Sequence, residues 1–129
     1  MLNIHTLSSS VFISNVMVLL VKGMNRHAFL FSFLFFTSVL FHELKTTELY
    51  WLDQVACYLV VLNGAWLVYK RFRFSPALFV AVTTFLATAY IYHYGQITGG
   101  YCFDPECGLE WHAFLHVISS LGHHAIAFI

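Results

Sequence analysis

Five apolar stretches, each about long enough to cross a bilayer as a helix, fill most of this 129-residue chain. They run from about Ile4 to Val21, His27 to Leu44, Tyr50 to Tyr69, Pro76 to Tyr94 and Leu109 to Ile129. Hydrocarbon gives the backbone no hydrogen-bonding partners, so stretches of this kind must become helices that close on one another. The expected fold is all-α, a polytopic transmembrane helix bundle of about five spans, forming a single domain over residues 1–129. Composition argues against a soluble alternative. The chain is 60% hydrophobic and 9% charged, against roughly 25% charged in soluble domains. A soluble fold this small could not hide so much apolar surface.

Local signals set the ends. Ser75 followed by Pro76 reads as an N-cap and a first helical position. The first stretch is the weakest, diluted by Ser8, Ser9, Ser10 and Asn15. It has no basic start and no clear small-residue cleavage site, so it is expected to be retained as a helix. The connections are short except Gly95 to Gly108, which contains Pro105 and reads as an ordered turn or lid.

Basic residues set the expected orientation. Lys22 and Arg26 follow the first span, and Lys70, Arg71 and Arg73 follow the third. The other two connections carry Lys45 beside Glu43 and Glu48, and Asp104 with Glu106. The positive-inside rule then puts the N-terminus outside and the C-terminus in the cytoplasm. A zero formal net charge offers nothing to nucleic acid.

On that map the polar residues collect at one depth. Ser38-x3-His42 ends the second span, Asp53 begins the third, and His112-x3-His116 begins the fifth, all near the outer face. Residues four apart share a helix face, so Ser38 and His42 point together, as do His112 and His116. Ionisable groups in such apolar sequence are costly and usually functional. Three imidazoles (His42, His112, His116) match a catalytic zinc ion, which keeps three protein ligands and one position for water. Zinc lowers the pKa of that water and polarises a carbonyl. Asp53, expected in the first turn of its helix, is placed to take the water's proton and return it to a leaving group. Ser38, one turn deeper than His42, can hydrogen-bond the water, the aspartate or a developing oxyanion.

These residues resemble the alkaline ceramidases and their superfamily of seven-helix membrane hydrolases and receptors. The likeness rests on Ser38-x3-His42, on Leu52-Asp53-Gln54, and on the closing run from His112 to Gly122, His-Ala-Phe-Leu-His-Val-Ile-Ser-Ser-Leu-Gly. The resemblance implies that His42, His112 and His116 hold a zinc ion, that Asp53 contacts its water and that Ser38 supports it. It also implies hydrolysis of a lipid amide. The chain would then be a shortened member, lacking a helix pair between the third and last spans. Assembly as a homo-oligomer would rebuild the missing wall of a lipid cavity. Two other readings use the same histidines: a non-enzymatic receptor or sensor, and a bis-histidine haem electron carrier. The haem reading gives Ser38 and Asp53 no role.

Other polar groups carry simpler expectations. Cys102 and Cys107 share a connection expected to be extracytoplasmic, where a disulfide is permitted. Cys57 reads as a small buried hydrophobe. His123 and His124 are expected to hydrogen-bond inside the bundle or to snorkel, and His27 to sit at the inner interface. Asn63 is expected to bond across helices, with Gly64 allowing close packing. His5 and His93 fall near the outer end, as minor candidates for the site. Glu43 reads as a solvated charge, and Glu110 as a candidate neighbour of the metal ligands.

Overall fold

The computed structural model describes residues 4–98 and 109–129. The elements are all helical: α1 (Ile4–Ser9), α2 (Val11–Val21), α3 (Asn25–Leu44), α4 (Thr47–Lys70), α5 (Pro76–Thr98) and α6 (Leu109–Ile126). The backbone of Ser10 stays near helical angles (φ −62°, ψ −20°), so α1 and α2 form one rod with a weak joint. The joint is where Ser8, Ser9 and Ser10 send their hydroxyls back to main-chain carbonyls of the preceding turn, a bonding pattern that bends helices.

The turn chemistry explains the reversals. After α2, Gly23 takes φ +70°, and the Gly23 and Met24 amides donate to the carbonyls of Leu20 and Leu19. This is a Schellman closure, with buried Met24 against buried Leu19 as its apolar contact. Lys45 ends α3 in the left-handed region at φ 51°, without a glycine. Thr46 then caps α4 through the Leu49 amide at 3.3 Å. The Ser75 hydroxyl accepts from the Leu78 amide at 3.1 Å, as the Ser-Pro signal predicts.

Four helical stretches are long and apolar enough to cross a membrane: Ile4–Val21, Asn25–Leu44, Thr47–Lys70 and Pro76–Thr98. The expected fifth span is present as α6, but it does not reach that standard among the described residues. The reason lies in its sequence, where His112, His116, His123 and His124 interrupt the apolar run. α6 is the polar-faced strut of the bundle and packs against α1, α2, α4 and α5, while α3 packs against α1, α2 and α4. α5 continues through Gly95 to Thr98, so the expected loop begins later than Gly95. Cys102 and Cys107 lie outside the described residues; Cys57 is half-buried.

Polar side chains share the interior with an apolar core that includes Phe12, Leu19, Phe31 and Leu34. Ser9, Asn15, His27, Ser38 and Ser120 are almost fully buried, while Phe29, Phe36, Leu62, Phe79 and Leu86 are exposed. That suits a solvent as apolar as the core, where polar contacts join the helices. Between α4 and α5 lies an apolar cavity of about 300 Å³, bordered by Val61, Val68, Val82, Phe85, His123 and Ile126.

Candidate metal centre

The start of α1, the end of α3 and the start of α6 meet at one end of the bundle. Each carries histidine there. The His5 ring stacks on His42 at 4.9 Å between centroids and lies 4.6 Å from His112. His42 is 4.8 Å from His112 and 5.4 Å from His116, and His112 is 4.8 Å from His116. Ligating nitrogens of His5, His42 and His112 all lie within 4.8 Å of one another. Three nitrogens around a tetrahedral zinc ion stand roughly 3.4 Å apart, at bond lengths of about 2.0–2.1 Å.

The rings of His42, His112 and His116 are neighbours, as the spacing predicts, but the described trio whose ligating nitrogens lie within 4.8 Å of one another is His5, His42 and His112, with His116 outside it. His5, His42 and His116 are buried, and His112 is half-buried. The Nε2 atom of His42 is buried with no hydrogen-bond partner among the described residues. A buried imidazole nitrogen left in that state costs free energy that a bound cation would recover. An all-imidazole donor set, neutral and borderline in softness, suits a first-row divalent ion such as zinc, copper, nickel or iron.

His116 is oriented from α1. Its Nδ1 lies 2.8 Å from the Ser8 hydroxyl, and that hydroxyl donates to the carbonyl of His5 at 2.9 Å. A serine has one proton to give. With that proton on His5, Ser8 accepts from the Nδ1–H of His116, and the lone pair of neutral His116 resides on Nε2. Fixing a histidine tautomer through its second nitrogen is how metal ligands are commonly prepared. The Phe12 ring packs on His116 at 5.2 Å and helps hold it.

Ser38 and Asp53 sit lower. The Ser38 hydroxyl is 2.9 Å from that of Ser9, which donates to the His5 carbonyl at 2.8 Å. Ser38 therefore supports the backbone under His5. Asp53 is buried on α4 and accepts from the Thr37 hydroxyl at 3.1 Å. Thr37 is its one hydrogen-bond partner among the described residues. The first-turn placement expected for Asp53 does not hold. Thr46 starts α4 at Thr47, so Asp53 falls in the second turn and Glu48 in the first, and the helix dipole fades over that distance.

The remaining candidates separate. Glu43 is exposed and accepts from Thr6 at 2.5 Å, tying α1 to α3 beside His42. Glu110 is exposed, and so is His93, whose ring lies against Tyr92. At the opposite end of the bundle a second group forms. The Asn63 amide is 2.8 Å from Nδ1 of His27, and Nε2 of His27 is 3.0 Å from Nδ1 of His123. Asn63 bonds across helices as expected, whereas His27 is buried rather than interfacial. His124 contacts Ser14 at 2.9 Å.

His5 is the residue of the cluster that spacing arguments underrate. It lacks an i+4 histidine partner, and serines surround it. Its signal is depth alone: it opens the first span on the side where the second closes and the last opens. No family model, curated protein or solved structure matches this chain.

Proposed function

We propose that this chain is a zinc-dependent integral membrane hydrolase that cleaves a lipid amide, ceramide-like, or a lipid ester. The observation that carries the reading is the meeting of His42, His112 and His116 at one end of an apolar bundle, with Nε2 of His42 buried and unpartnered. The motif resemblance to alkaline ceramidases supplies the reaction class. The chain's Lys and Arg distribution favours a site near the outer face, with the C-terminus in the cytoplasm.

When bound, a zinc ion supplies a Lewis acid and a water activated near neutral pH. The imidazoles of His42, His112 and His116 would hold it, the last through the Nε2 that Ser8 leaves free. Asp53 is the proton acceptor and donor, kept apart from bulk water by burial and held by Thr37. Ser38 braces the turn of α1 beneath the site through Ser9. Lipid reaches the site laterally from the bilayer, as exposed apolar flanks on α1 and α3, such as Leu7 and Phe36, allow.

The test is direct. Protein purified in detergent is assayed for zinc and for release of fatty acid from short-chain ceramide and from a lysolipid, beside Asp53→Ala. Turnover that falls at least about 100-fold in the variant, the usual scale for losing a general base, supports the reading. Equal release by both, with zinc bound, would favour a sensor over an enzyme.

A further inference from the structure

We infer that His5 is a fourth ligand to the same metal ion, so that the resting centre is closed by four imidazoles. The inference rests on the metal reading above and extends it to a residue outside the resembling motifs. His5 is buried, its ring meets both His42 and His112, and its ligating nitrogen belongs to the tightest trio in the cluster. His116 contributes Nε2, because Ser8 occupies its Nδ1. A tetrahedral ion has four positions; His5, His42 and His112 supply three converging nitrogens, and the His116 ring, 4.8 Å from His112 and 5.4 Å from His42, borders the fourth.

The helix α1 is built to deliver that ring. It is six residues long and jointed at Ser10. Thr6 fastens it to Glu43, Ser9 to Ser38 and Ser8 to His116. Three bonding positions in the four residues after His5 therefore face α3 and α6, more than a helix end needs merely to pack. His42, His112 and His116 stand on helices of 20 and 18 residues. His5, on the shortest and jointed element, is the ligand able to leave. Water can occupy a coordination position only when His5 vacates it, so His5 sets the exchange between a closed and an open centre.

Cobalt(II) reports coordination by its visible absorption, and azide binds only where a position is open. The chain in detergent is titrated with cobalt(II), then with azide, beside His5→Ala and the milder His5→Asn, with circular dichroism checking helicity. Expected for the unaltered chain is one cobalt per chain, a four-coordinate spectrum and no response to low azide. Expected for both variants is cobalt affinity lower by at least about 10-fold, a changed spectrum and an azide shift. Variants that keep their helicity, with unchanged affinity and spectrum, would overturn the role of His5 alone. An unaltered chain that takes no cobalt would overturn the metal reading itself.

Discussion

The two ends of the bundle each gather histidines from different helices, but they treat the imidazole nitrogens in opposite ways. At the lower end the rings are joined by hydrogen bonds. Asn63 meets His27, His27 meets His123, and the Phe31 ring stands edge-on to both histidines at 5.3 and 4.9 Å. At the upper end the rings of His5, His42, His112 and His116 face one another, and Nε2 of His42 has no partner among the described residues. Rings that satisfy each other stabilise helix contacts. A ring such as His42, with a buried nitrogen that has no partner among the described residues, is open to a guest. Histidine content alone does not separate the two; the disposition of the second nitrogen does.

Between the ends, Asn15 and Ser120 form a reciprocal clamp. The Asn15 amide donates to the Ser120 carbonyl at 3.0 Å, and the Ser120 hydroxyl donates to Asn15 at 2.5 Å. Phe12 and Phe31 pack there at 5.9 Å. The two histidine groups are therefore separated by a packed layer, and each should respond to substitution independently.

That independence can be broken in order of effect. His42→Ala removes the central ligand and should lower zinc affinity by more than about 100-fold, since changes outside the ligand shell alone cost 10–100-fold; isothermal titration in detergent measures it. Acid should act next. Each ligand must be neutral to bind, so zinc affinity should fall in acid once the rings protonate, by up to about 10-fold per ligand per pH unit. A zinc affinity that does not fall at all as the protein is acidified to the limit of its helical fold would argue against an imidazole site. Ser8→Ala frees the His116 tautomer and should weaken zinc binding by about 10-fold, leaving helicity unchanged by circular dichroism.

Gly64→Ala should have the smallest effect on the metal. A Cβ there would lie 2.7 Å from Cε1 of His123, a ring already held by His27. The clash should cost about 1–3 kcal/mol of stability, seen as a lower Tm in detergent, with zinc affinity unaltered. A fall in zinc affinity would mean that the two ends are coupled.

Much of this was legible beforehand, for physical reasons. Helical spans follow from hydrocarbon's intolerance of bare backbone, and four of the five expected appear with ends shifted by a few residues. The meeting of His42 with His112 and His116 follows from antiparallel alternation plus a four-residue repeat. Three things were not legible. Thr46 as a cap lengthened α4 and displaced Asp53 by a turn, because a Thr-Thr pair offers two equivalent start points. The burial of His27 depends on Gly64 admitting His123, a contact between residues far apart in sequence. His5 could be read only as a minor candidate, because the serines beside it lower apparent hydropathy yet supply the hydrogen bonds that seat it.

The most direct measurement is the zinc content of the purified chain after saturation and desalting, beside His42→Ala and His27→Ala. The result expected is one zinc per chain in the unaltered protein and in His27→Ala, and none in His42→Ala. A folded, unaltered chain that emerges without zinc, or a His42→Ala chain that holds as much, would contradict the assignment of the upper histidines to a metal.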